Sequence, residues 1–316
     1  MEILPVTETG TVWQNELHYH SRDGLKLFAR DTASDTIGQE AQDLPLLCLH
    51  GLTRNSLDFE PLAEMLPQYR IIAPDQRGRG RSDYDPNPAH YDIKYYIADM
   101  FRLIDHMKLN NIILVGTSMG GLMAMVMAAM KPHLFRGIVL NDVGPEIDPA
   151  GLERIKQYVG KGRPVGSWEE AAKRVRQINA LAFPDYTQED WMKFARRSYK
   201  LDTNGRPIPA YDNAIALPFA APTSKLHVLK ARVLAFLKRL VFGDLWRLFG
   251  RLGNIPILSI RGELSDILSA ETQQKMAARH PQFFPVTIPN RGHAPMLDEP
   301  EAITALEEFV AKLQHD

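Results

Sequence analysis

Cysteine is almost absent from this sequence. Cys48 stands alone among 316 residues, inside the apolar run Leu46-Leu47-Cys48-Leu49. One thiol cannot close an internal disulfide, so the fold needs no oxidising compartment, and a cysteine in such a run reads as buried and inert. Long apolar runs are also missing. None approaches the roughly 20 residues of a membrane span, so no integral membrane segment is expected. There is no excess of charge of either sign. The net charge is −1, which gives no global field for nucleic acid or an anionic membrane surface. Residues 1–10 carry Glu2 and Glu8 and lack an apolar signal-peptide core, so the expected location is the cytoplasm. No internal repeat or low-complexity tract breaks the chain.

What is present is enough apolar residue, 45%, for one large domain or a domain with an inserted subdomain. Residues 12–20 and 25–30 read as two strands around the turn Asp23-Gly24. A short, wholly apolar strand follows at 46–49, and further short, mostly apolar strands at 70–73, 112–115, 137–140, 256–260 and 284–288. Helical patterns lie between several of them, at 92–107 for example, and a last helix spans 300–313. Apolar strands that alternate with helices specify an α/β fold with a mostly parallel central sheet covered on both faces.

Between Pro145 and Gly253 the alternation stops and helix-start signals take over. These are Asp148-Pro149, Ser167 with Glu170, and Thr187, with a turn at Asn204-Gly205. The reading is a helical cap over 146–253, inserted between core parts 1–145 and 254–316. Its aromatics Trp168, Phe183, Trp191, Phe194, Tyr199 and Phe219 form a small core or line an apolar pocket. Residues 225–251 show a basic amphipathic pattern, with seven cations against Asp244 alone. That pattern suits a cap helix with a solvated basic face, or an anionic surface.

The chain is organised around Gly116-Thr117-Ser118-Met119-Gly120, a G-x-S-x-G turn between the strand at 112–115 and a run of helix formers that stops at Pro132. Such a turn lifts the serine hydroxyl out of the sheet near the positive end of a helix, which makes Ser118 a nucleophile. A nucleophilic serine needs a base. His293, in Asn290-Arg291-Gly292-His293-Ala294-Pro295, follows the last strand and falls on the same sheet edge. Asp266, Glu263 and Asp142 all follow core strands in an order that suits an acid to orient His293. Asp266 is favoured because its loop starts at the sheet edge and is long enough to reach the histidine. The N–H groups of Met119 and Leu52 are the expected oxyanion donors, and His50 organises the loop that carries Leu52.

His50-Gly51, the turn from Asp75 through Arg77-Gly78-Arg79-Gly80-Arg81-Ser82, the serine elbow, Asp266 and Gly292-His293 together resemble the α/β-hydrolase superfamily, in its serine-nucleophile branch with a helical cap. The resemblance covers nearly the whole chain. It implies a Ser118–His293–Asp266 triad, an acyl-enzyme, a small-molecule substrate, and neither cofactor nor metal. It also implies a structural role for Asp75 and the 77–82 turn. A carboxylesterase acting on small or medium esters is the simplest member. Enol-lactonases resemble this elbow, and so do the hydrolases that cut carbon–carbon bonds in ring-fission dienoates. The latter typically carry Ser-Gly-Pro-Gly where this chain has Leu52-Thr53-Arg54-Asn55. A dienoate carboxylate would need a cation, for which Arg196 and Arg197 are candidates, although their alternating helix faces favour a surface role.

Overall fold

The computed structural model describes residues 12–34, 37–219 and 245–315. Strands β1 (Asn15–His20) and β2 (Lys26–Asp31) form a hairpin around Gly24, whose φ of 92° suits glycine. Strands β3 (Leu46–Leu49), β4 (Ile71–Asp75), β5 (Ile112–Thr117), β6 (Phe135–Asn141), β9 (Ile257–Gly262) and β10 (Phe283–Ile288) complete an 8-stranded sheet in the order β1-β2-β4-β3-β5-β6-β9-β10. All pairings from β4 to β10 are parallel, and β2 runs antiparallel to both its neighbours.

Helices cover both faces, which is why the central strands read as unbroken apolar runs. Alternate residues separate cleanly. Leu47, Leu49 and Leu114 face the cluster built with α3 (Ile93–Met107) and α4 (Met119–Met130). Leu46, Cys48, Ile113 and Val115 face the cluster built with α2 (Glu60–Met65) and the C-terminal helix. Cys48 is fully buried there, and burial pushes its thiol pKa well up, away from reactivity. A short α1 (Gln39–Asp43) precedes β3.

The segment after β6 carries α5 (Pro149–Tyr158), α6 (Trp168–Asn179) and α7 (Gln188–Ser198). Its start signals act as capping chemistry requires, with one difference. Thr187 and Asp190 make a reciprocal box, whereas Glu170 reaches past Ser167 to the N–H of Gly166, 2.8 Å away. The segment also contains a small hairpin, β7 (Tyr199–Leu201) with β8 (Pro207–Pro209), turning at Gly205 with φ 72°. The sequence reading made this segment mostly helical, with a turn at Asn204-Gly205, and named no strand in it. Of the basic stretch at 225–251, residues 225–244 lie outside the described residues. Its end forms α8 (Leu245–Gly250), which buries Leu248 and Phe249. Helices α9 (Ala270–Arg279) and α10 (Pro300–His315) finish the core. No described helix is long and apolar enough to cross a membrane.

The geometry that matters most for the site is the crossing of β3, β5 and α4. A Cβ on Gly120 would stand 1.9 Å from the Leu49 carbonyl oxygen, and one on Gly116 would stand 2.5 Å from the Gly120 backbone. Both neighbours are backbone, so neither can move aside cheaply. Gly120→Ala should therefore cost about 3 kcal/mol or more and lower the thermal midpoint by about 5 °C or more. Gly38→Ala, where a Cβ meets nothing within 4 Å, should leave the midpoint nearly unchanged. Thermal denaturation of the pair checks this, and equal midpoints would refute the close-crossing argument.

Candidate active site

Ser118 lies between β5 and α4 with φ 54° and ψ −115°, backbone angles that a non-glycine residue holds only when its surroundings impose them. The crossing glycines impose them here, and Ser118 N–H donates to the Asn141 carbonyl at 3.0 Å. The hydroxyl is 2.9 Å from His293 Nε2, and His293 Nδ1 is 2.7 Å from Asp142 Oδ2. A carboxylate only accepts, so Nδ1 carries the proton and Nε2 is free to accept from Ser118.

Asp142 is the acid in contact with His293, whereas the sequence reading favoured Asp266. Asp142 follows β6, the immediate neighbour of β5. A left-handed φ of 57° turns it back at the strand end. It is fully buried and accepts from Gly262 N–H at 2.9 Å and Ser265 Oγ at 2.6 Å as well as from His293. Three donors meet the charge that burial would otherwise penalise. Asp266 follows β9, one strand further out, and is bound by Arg154 from α5 at 2.5 and 2.9 Å. Burial works to raise its pKa, but the Arg154 hydrogen bonds and charge prevail and hold it below the usual carboxylate range. Glu263 accepts from Asn290 N–H at 3.0 Å and braces the loop that leads to His293. Ser265, which sequence reasoning did not single out, also accepts from the Ile267 and Leu268 N–H groups, each at 3.1 Å. No sequence signal marks it beyond its place in a loop following a core strand.

The loop carrying Leu52 is fixed by its neighbours. His50 is fully buried, with Nδ1 2.7 Å from the Gly51 carbonyl and Nε2 3.0 Å from Gln76 N–H. Gly51 O and Leu52 N–H belong to one trans peptide and point in opposite directions. By holding that carbonyl, His50 orients the Leu52 N–H. Arg79 Nε donates to the Leu52 carbonyl at 3.0 Å from the other side. Neither Leu52 N–H nor Met119 N–H has an acceptor among the described residues. Asp75 braces the loop beneath, accepting from Ser56 N–H at 2.7 Å and Arg81 N–H at 2.8 Å.

A cavity of about 410 Å³ opens on Ser118 and His293. Phe183, Phe194 and Tyr199 line it, while Trp191 packs within the segment's own core and the Phe219 side chain lies outside the described ones. Arg196 stacks on Trp168 at 4.2 Å, and neither Arg196 nor Arg197 reaches the cavity. The cations that do reach it are Arg54, Lys161 and Arg174, so its wall is more polar than the aromatic count suggested. Among the described residues one group has metal-ligand proximity, formed by Asp23, Asp85 and His90. Arg77 Nη1 already donates to both carboxylates, at 2.8 and 2.7 Å, which makes this a partly buried ion-pair cluster.

The α/β hydrolase fold family matches residues 45–300, and the chain belongs to that family. A 3-hydroxybutyrate-oligomer hydrolase of Cupriavidus necator is 34% identical over 86% of this chain and 90% of its own. An α/β hydrolase of known structure from Novosphingobium aromaticivorans is 39% identical, covers 95% of this chain and 98% of its own, and superposes with a TM-score of 0.80. A 2-(acetamidomethylene)succinate hydrolase of Mesorhizobium japonicum is 28% identical over 84% of this chain and 87% of its own.

His50 supplies a pH test. Burial, first of all, lowers its pKa from 6.5 to about 4, and the Gly51 carbonyl offsets this only in part. The folded state then binds fewer protons than the unfolded state between these two values. Its contribution is full above pH 6.5 and is lost as pH falls toward about 4. Urea midpoints at pH 7 and pH 5 should differ more in the wild type than in His50→Gln, which has no such group to titrate. An equal difference in both proteins would refute the assignment.

Proposed function

We propose that this protein is a cytoplasmic serine hydrolase that cleaves small or medium carboxylic esters through an acyl-enzyme. The observation that carries the reading is the hydrogen-bonded line from Ser118 through His293 to Asp142 at the floor of the cavity. In this reading His293 Nε2 takes the Ser118 proton as the oxygen attacks the ester carbonyl. The Leu52 and Met119 N–H groups hold the oxyanion. His293 returns the proton to the departing alcohol, and the alcohol leaves. A water molecule, deprotonated by the same nitrogen, then attacks the acyl-serine and releases the acid. Asp142 holds the Nδ1–H tautomer and offsets the charge that His293 carries during each transfer. Residues 146–253 act as a cap over the core parts 1–145 and 254–316. Family membership supports hydrolysis, and the Cupriavidus necator relative is named for the hydrolysis of a hydroxyacid oligomer.

A fluorophosphonate should label Ser118, and Ser118→Ala should lose both the label and about 10⁶ in kcat. Asp142→Asn should cost about 10⁴ in kcat, since an amide favours the wrong imidazole tautomer. Asp266→Asn should cost far less. Labelling of the alanine variant elsewhere would refute the nucleophile, and a more damaging Asp266 variant would refute the acid.

The same assay series fixes the bond cleaved. p-Nitrophenyl esters of short and medium acyl chains should be hydrolysed, with kcat/KM falling once the chain outgrows the cavity. A kcat/KM for a ring-fission dienoate or an enol-lactone that exceeded the best ester by orders of magnitude would replace the esterase reading and leave the triad in place.

A further inference from the structure

We propose that the Ser118 cavity continues into a cationic annex formed by Lys161, Arg163 and Arg174, which receives a free carboxylate of the substrate. The preferred esters are then those of hydroxy or dicarboxylic acids with one acid group left unesterified. The proposal rests on the ester-hydrolase reading and names its substrate class.

The annex is continuous with the catalytic chamber, because Lys161, Gly162 and Arg174 line both hollows. Three cations and no acid line the second hollow. The chain as a whole has a net charge of −1, so this cluster is local and does not reflect general basicity.

The loop that presents it is built to one shape. Gly160 has φ 74°, and a Cβ there would meet Ala216 Cβ at 2.3 Å. A Cβ on Gly162 would meet Pro209 Cγ at 2.7 Å. The Asn213 side chain clamps Gly162 from both sides, accepting from its N–H at 3.0 Å and donating to its carbonyl at 2.8 Å. The sequence Gly160-Lys161-Gly162-Arg163 is thus fixed against residues 209–216, and its two cations extend from a rigid base.

Among the described residues, two of these cations lack an ionic partner and the third has a long contact. Among the described residues Lys161 and Arg163 make no ion pair, and Arg174 faces one carboxylate, Glu170, at 3.6 Å. Residues 220–244 contain a single acid, Asp244. Within the Ser118 chamber the acid on the wall is Asp58, which Arg54 Nε engages at 2.7 and 3.0 Å. The free charge facing a bound ester is therefore positive, and an unpaired carboxylate is the group it complements.

The test uses two matched pairs, one for each side of the scissile bond. p-Nitrophenyl hydrogen glutarate is set beside p-nitrophenyl pentanoate, and 3-acetoxybutyrate beside its methyl ester. In at least one pair the carboxylate-bearing member should have a kcat/KM about tenfold higher at low salt, mainly through KM. That ratio should collapse toward one in about 0.5 M salt and in the double variant Lys161→Gln/Arg174→Gln. The pair that shows the effect identifies the side on which the annex acts. Ratios at or below one in both pairs, or a preference that survives the double variant, would overturn the proposal.

Failure of the underlying reading is separable. If neither pair is hydrolysed and Ser118 takes no fluorophosphonate, the ester reading fails, and calorimetric binding of glutarate then tests the annex directly. Binding weakened about tenfold in the double variant, as expected for loss of partly exposed charge pairs, supports the annex. Unchanged or absent binding removes it.

Discussion

The site depends on a backbone crossing. The Leu49 carbonyl of β3 and the start of α4 approach so closely that Gly120 has no room for a Cβ. The same crowding, through Gly116 and Gly121, holds Ser118 in its strained turn. A strained conformation persists only where packing over-determines it, and here the packing is the fully apolar sheet interior on either side of β3 and β5. The apolar strands therefore supply burial energy and also hold one hydroxyl at a fixed height above the sheet edge.

Most of this was legible in the sequence because it is local. Strand-turn-helix at Ser118, the strand preceding His293, and the apolar runs of β3 to β6 all announce themselves within a dozen residues. Which carboxylate meets His293 was not legible. Asp142, Glu263 and Asp266 all follow core strands, and what separates them is sheet order and the company each keeps. Asp142 belongs to the strand beside β5, and Gly262 and Ser265, more than a hundred residues later, complete its donors. The nearer-looking Asp266 is drawn off by Arg154, from a segment inserted between them in the chain. The β7–β8 hairpin escaped for a similar reason, since strands of three residues leave too little alternation to read.

The electrostatics are layered. Deep carboxylates are matched at once. Asp75 takes backbone N–H groups, Asp99 takes the buried Arg77 at 2.7 and 2.8 Å, and Asp142 takes three donors. Toward the cavity and its annex, by contrast, Lys161 and Arg163 make no ion pair among the described residues. In a chain close to neutral overall, the buried pairs are the ones that salt screens least.

The inserted segment packs Val159 and Ile215 into the core cluster and also touches the core through polar links, among them Arg54 with Ser198 and Asn55 with the Arg197 carbonyl. Two of these links fall just before the histidine. Gly292 N–H donates to the Ala182 carbonyl at 2.8 Å, and Arg291 pairs with Asp185 at 2.6 Å. The turn around residues 182–185 begins beside Phe183, which forms part of the cavity wall. The cavity wall at Phe183 and the loop that carries His293 are joined by these two contacts. The two residues before His293 are thus anchored beside Phe183, so the position of that part of the wall and the position of the imidazole are set together.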